Sequence, residues 1–140
     1  MEKSNNFLMA IECYQKAFIL EPINNQDWFF IHNNLGYSHN VIGRYDEGER
    51  YCRIAIRIDP DKHNAYKNLA ISLEGQGKYV EAVEYYIKAT KVNASDNRAL
   101  LHLEELLRNQ PHLLIDNPDL IQVLDDCKKA SQFATEFIRK

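Results

Sequence analysis

Histidines, cysteines and one glycine–lysine run are where this 140-residue chain could hold catalytic chemistry. Its histidines are His32, His39, His63, His102 and His112. His32 and His39 stand seven apart, so on a helix they share a face. A metal pair or a nucleophile–base dyad wants a carboxylate or thiol three or four residues from one of them, and none is there. Both fall on an apolar stripe, where packed histidines belong. Cys13, Cys52 and Cys127 are odd in number and widely spaced, which suggests neither a disulfide framework nor a zinc site; they read as small buried apolar residues. "GQGK", from Gly75 to Lys78, lacks the leading glycine and the Ser/Thr of a phosphate loop. No G-x-G-x-x-G, H-E-x-x-H or G-x-S-x-G occurs. The reading is a non-enzyme with no catalytic residue, no metal and no cofactor. The chemistry that stands out is amide chemistry. Asn34 and Asn68 each carry a donor and an acceptor, so each could bond the N–H and C=O of an extended peptide.

Those two asparagines are 34 residues apart, and so is much else. A shift of 34 sets Leu35 on Leu69, Gly36 on Ala70, Gly43 on Gly77, Tyr45 on Tyr79, Gly48 on Ala82, Cys52 on Tyr86 and Ala55 on Ala89. A fixed period of this length marks stacked helix pairs. Tyr66, Leu69, Ala70 and Leu73 make one helical stripe; Tyr79, Ala82, Val83, Tyr86 and Ala89 make a second. Gly43 and Gly77 can take positive φ and turn the chain between the two. Small residues at 36, 48, 70 and 82 allow close backbone approach, with tyrosines filling the space beside them.

The second copy, through Tyr66, Leu69, Ala70, Gly77, Tyr79, Ala82, Tyr86 and Ala89, resembles the tetratricopeptide repeat (TPR). The first copy shares Leu35, Gly36, Gly43, Tyr45, Ala55 and Pro60 and departs at His32, His39, Gly48 and Cys52. The resemblance implies an all-α, right-handed helical-repeat solenoid of TPR-like antiparallel helix pairs with a C-terminal capping helix. The expected organisation is a single domain over 1–140. Residues 7–22 form the second helix of a partial repeat, 29–62 and 63–96 are repeats, 97–110 are a degenerate first helix, and 118–138 are the cap. Pro22 to Pro60 is a step of 38, so the helix holding Trp28 should be longer at its start. Asn117 is expected as N-cap and Pro118 as first residue of the last helix. The packed face of that helix is expected to run from Leu120 and Ile121 through Cys127 to Phe137 and Ile138. Nothing upstream covers Leu8, Ile11 and Phe18, which therefore form a candidate self-association face over 7–20 unless the chain covers it.

In this family the first helices line the concave side. The resemblance therefore places Phe30, Asn33, Asn34 and Tyr37, then Asn64, Lys67, Asn68 and Ile71, then Arg98, Leu101, His102 and Glu105 in a groove. Asn34 and Asn68 would be two rungs of an asparagine ladder, or would be solvated or engaged locally. His102 stands where a third rung would be. A carboxylate clamp of the family's kind is matched at Asn68 and Arg98, while Asn33, Tyr37 and His102 stand where Lys, Asn and Arg are wanted. Lys67 and Arg98 could attract an acidic side chain. Trp28, Phe29 and Phe30 divide between core packing and a groove anchor.

Composition limits the partners. The chain is 45% hydrophobic and 26% charged with a formal charge of −3, an ordinary folded composition. That charge gives no electrostatic basis for binding nucleic acid or an anionic membrane. No apolar run is long enough for membrane insertion, and the N-terminus lacks a signal peptide, so a cytoplasmic location is expected. The expected function is a protein–protein interaction module binding a peptide or short helix of another protein. The alternatives are a scaffold self-assembling through its first helix and a small dedicated chaperone.

Overall fold

The computed structural model describes the backbone of residues 2–20 and 25–139, and the side chains of 5–16 and 25–138. Among the described residues eight helices follow one another: α1 (Glu2–Leu20), α2 (Asn25–Val41), α3 (Tyr45–Ile58), α4 (His63–Gly75), α5 (Tyr79–Val92), α6 (Arg98–Asn109), α7 (His112–Asp116) and α8 (Asp119–Arg139). The architecture is an all-α helical repeat, with no strand among the described residues. No described helix is long and apolar enough to cross a membrane.

The two repeats end their first helices in the same way. Gly43 has φ +83° and Gly77 φ +77°. The amide of Arg44 donates to the carbonyl of His39 (2.8 Å) and that of Gly43 to Asn40 (3.1 Å). One period later Lys78 donates to Leu73 (2.9 Å) and Gly77 to Glu74 (2.9 Å). This double closure around a left-handed residue is the Schellman motif. It satisfies two orphan carbonyls and reverses the chain within three residues, so α3 folds back on α2 and α5 on α4.

Side-chain size then sets how close the helices come. A Cβ at Gly36 would overlap the Cys52 thiol, and one at Gly48 would overlap the Asn40 carboxamide. Gly75, at the end of α4, lies under the Tyr45 ring that begins α3, which leaves no room for a Cβ there either. Leu69, Leu73, Tyr86, Leu103 and Leu106 from α4, α5 and α6 are fully buried and form the largest core cluster. Phe29, Ala55 and Ala65 form a smaller cluster between α2, α3 and α4. α2 begins at Asn25 and is longer than α4, in keeping with the step of 38.

Three expectations about the ends need correction. Ile11 is 4% exposed, because α1 packs on α2; Leu8 and Met9 are open, while Phe18, Leu20 and Pro22 lie outside the described side chains. Asn117 does not cap α8 with its side-chain oxygen. Its Nδ2 donates to the carbonyl of Leu113 (3.1 Å) and so closes the C-terminus of α7. On α8, Cys127 and Ser131 are buried, but Ile121, Phe137 and Ile138 are exposed, as is Phe133. The short α7, anchored by buried Leu113, re-aims the chain, so the apolar side of α8 is only partly covered.

Candidate functional site

Successive first helices stand side by side because their small and apolar positions pack inward. Their other flank is left facing a shared hollow. Residues from α2, α4 and α6 line an open concavity of about 540 Å³. α2 supplies Asn33, Asn34, Tyr37, Asn40 and Val41; α4 supplies Asn64, Lys67, Asn68 and Ile71; α6 supplies Arg98 and His102. Nine of the twelve residues placed in a groove from the sequence are in this set; Phe30, Leu101 and Glu105 are outside it. Phe30 is 42% exposed and packs edge-on against Phe29, with ring centres 5.5 Å apart. Leu101 lines a separate hollow with Lys128 and Ser131, between α6 and α8.

The asparagines are not equivalent rungs. Asn34 Nδ2 donates to the Tyr14 hydroxyl of α1 (3.1 Å). Asn68 is 4% exposed and belongs to a polar seam between α2 and α4. Its Nδ2 donates to Asn33 Oδ1 (3.0 Å), and its main-chain carbonyl accepts from Asn40 Nδ2 (2.9 Å) and from the Ser72 hydroxyl (3.0 Å). The Ser72 hydroxyl also approaches Asn40 Oδ1 at 2.7 Å. Asn68 Oδ1 is buried without a hydrogen-bond partner among the described residues. An unsatisfied buried acceptor costs about 1–3 kcal/mol.

The cations also differ. Arg98 holds Asp96, with Nη2 2.6 Å and Nε 2.9 and 3.1 Å from the carboxylate oxygens, and its Nη2 reaches Asn64 Oδ1 (3.1 Å). Asp96 also accepts from the Arg98 backbone amide and meets His63 Nε2 at 2.9 Å. The Arg98 hydrogen bonds, with help from His63, hold the Asp96 carboxyl far below the usual carboxylate range. Lys67 forms no ion pair among the described residues; burial and then the nearby Arg98 charge lower its pKa. His102 stacks flat on Tyr86, ring centres 5.8 Å apart, and burial lowers its pKa.

Sequence reading missed four residues here. Asn40 and Val41 occupy the last turn of α2, where the repeat sets them against Glu74 and Gly75, so the period carries no chemical match. Tyr14 and Phe7 come from α1, and Phe7 meets the Tyr37 ring edge-on (5.8 Å). His39 is packed in the core, as its place on the apolar stripe implies. It is buried and stacked on Tyr51 (5.2 Å), with Glu47 Oε2 3.5 Å from its Nδ1, too far for a hydrogen bond. The carboxylate absent three or four residues from His39 on α2 arrives from α3. His63 and Asp96 likewise meet across 33 residues. Among the described residues no group of three metal-binding side chains assembles. Burial pushes the Cys52 thiol up to about 12, which makes it inert.

The family model for tetratricopeptide repeats matches residues 63–96, one full helix pair, α4 and α5, with its loops. Residues 63–96 are thus a tetratricopeptide repeat. The chain is 37% identical over 87 residues to small glutamine-rich tetratricopeptide repeat-containing protein 2 of Mycosarcoma maydis, covering 62% of this chain and 24% of that one. It is 27% identical over 93 residues to the protein of the same name from Saccharomyces cerevisiae (66% and 26%). It is also 27% identical over 104 residues to the BBSome complex member BBS4 of Mus musculus (74% and 19%). The chain thus spans about a quarter of the length of the first two relatives and a fifth of the third.

Proposed function

We propose that this TPR chain is a non-catalytic protein–protein interaction module that receives a segment of another protein along α2, α4 and α6. The observation that carries the reading is the convergence of amide, cationic and apolar side chains from three successive first helices on one hollow. A hollow of about 540 Å³ is of the size and polarity that a few peptide residues fill, and its polar groups are fixed to helices and so pre-organised. Asn64 and Asn68 would meet main chain, Lys67 an acidic group, and Tyr37 and Ile71 apolar side chains. BBS4 is by its name a member of a complex, a role of the same kind.

Binding should be measured by interferometry between the immobilised chain and peptides selected on it. Lys67→Glu, on a half-exposed position, should weaken the selected set while leaving thermal unfolding unchanged. If that variant and a Tyr37→Ala variant both bind every selected peptide as before, the groove is not the site.

A second reading is favoured by one observation. Leu8 and Met9 on α1 and Phe133, Phe137 and Ile138 on α8 leave apolar surface open towards the two ends of the chain. Self-assembly through such ends would give a scaffold. Light scattering decides between the two: a concentration-independent monomer mass disposes of the scaffold.

A further inference from the structure

We propose that α8 pairs antiparallel with α8 of a second copy of this chain, the Phe133 ring of each copy entering the hollow beside Ala130 of the other. This rests on the self-assembly reading given above, names its face, and is independent of the groove. α5 and α8 enclose an apolar hollow of about 350 Å³, with Thr90 and Ala94 on one side and Val123, Cys127 and Ala130 on the other. Along α8, Val123, Asp126, Ala130, Phe133 and Phe137 recur at alternating steps of three and four, which is the spacing of a helix-pairing seam. The first three of these line the hollow. The last two project beyond it, 72% and 74% exposed. One seam thus carries a recess in its first half and two open rings in its second.

A parallel pair would set ring on ring and recess on recess. An antiparallel pair about a two-fold axis midway between Ala130 and Phe133 sets large on small: Phe133 meets Ala130, and Phe137 meets the turn of Val123 and Asp126. Such a contact uses one patch twice and closes at two copies. A cavity of about 150 Å³ takes a benzene ring, so the hollow admits the ring of a phenylalanine. Asp126, the polar member of the seam, shares the hollow with Lys91, so a counter-charge is at hand when water leaves. The area is also sufficient. Two phenylalanines per copy, of about 150–250 Å² each and nearly three-quarters open, bring about 600 Å² to the pair. The surfaces that receive them bring about as much, which reaches the size, about 1,200 Å², at which specific interfaces begin.

Sedimentation of the full chain over a concentration range should show a monomer–dimer equilibrium and nothing larger. Phe133→Asp and Ala130→Glu change open positions, so helix content by circular dichroism should hold. The dimer should weaken by about a hundredfold or more in each, because every hot-spot contact is lost twice. In a Cys13→Ser background, spin labels on Lys129→Cys and Glu136→Cys read the direction of the pair. In the antiparallel arrangement the two copies of a label are offset along the helices by about 8 Å at 129 and about 14 Å at 136, so the second distance should be the longer. Equal distances for the two labels, a dimer that persists in both variants, or assemblies larger than a dimer overturn the pairing. Association that survives both variants and is lost in Met9→Asp leaves self-assembly standing, through α1 instead. A monomer at every concentration removes the pairing and the scaffold reading together and leaves the groove reading untouched.

Discussion

At Gly48 the repeat and the packing give opposite answers. The second copy has Ala82 at the same place, and alanine is favoured over glycine in a helix by about 1 kcal/mol. By that comparison Gly48→Ala should stabilise. The fold gives the other sign, because the new methyl would displace the Asn40 carboxamide from Asn68 and Ser72 and approach the Gly36 carbonyl. We expect a net loss of about 1–3 kcal/mol, read as a lower urea midpoint with unchanged slope. A second residue-scale prediction concerns acid. His39 is buried, and that burial holds its pKa below the ordinary 6.5 against the attraction of Glu47. His32 and His102 are lowered for the same reason. Below 6.5 the unfolded chain binds protons that the folded chain does not, so stability is full above that pH and is lost as pH falls through it. Urea titrations should show this decline from neutral pH downwards, and His39→Phe, which keeps the stack on Tyr51, should flatten it.

For the helix pair, the turn matters more than what surrounds it. Gly43 and Gly77 have nothing within 4 Å of where a Cβ would stand, so a side chain there meets strain in the backbone alone. A left-handed residue costs roughly 1–2 kcal/mol for an L-amino acid, and less for asparagine, whose side chain bonds locally. Gly77→Ala should therefore lower the melting temperature by several degrees, and Gly77→Asn by clearly less. Equal losses for the two would show that crowding, and not φ, governs the turn. This element was legible from sequence, because glycine recurs at one offset in both copies. The cap was not: Asn117 is a good starter for α8 by type, yet it serves the end of α7, since α7 was not readable in "HLLID".

Across the whole molecule, stability should be graded. The buried core is concentrated in α4, α5 and α6, whereas Ile11 is the buried residue among the described side chains of α1. In a linear stack each helix is held by its neighbours, so ends open before the middle. Hydrogen exchange should be slowest in α4 and α5 and fastest in α1 and the last turns of α8. Ile11→Ala should accelerate exchange in α1 while leaving α4 and α5 protected. Uniform acceleration everywhere would mean that α1 is part of one cooperative unit.

What the sequence by itself determined was the part written in periods. The 34-residue spacing, the two glycine turns and the apolar stripes follow from side-chain order, because a helix converts spacing into direction; which flank of each first helix would line a hollow came from the resemblance to a known repeat. Tertiary structure alone decided how those groups are spent. Asn68 turns its NH₂ to Asn33, Asp96 meets His63, Glu47 approaches His39, and α1 brings Tyr14 to Asn34. Each is a meeting between residues whose separation in the chain carries no periodic signal. Hydrogen bonds and charges act over a few ångströms of space, and only the packed helices fix those distances.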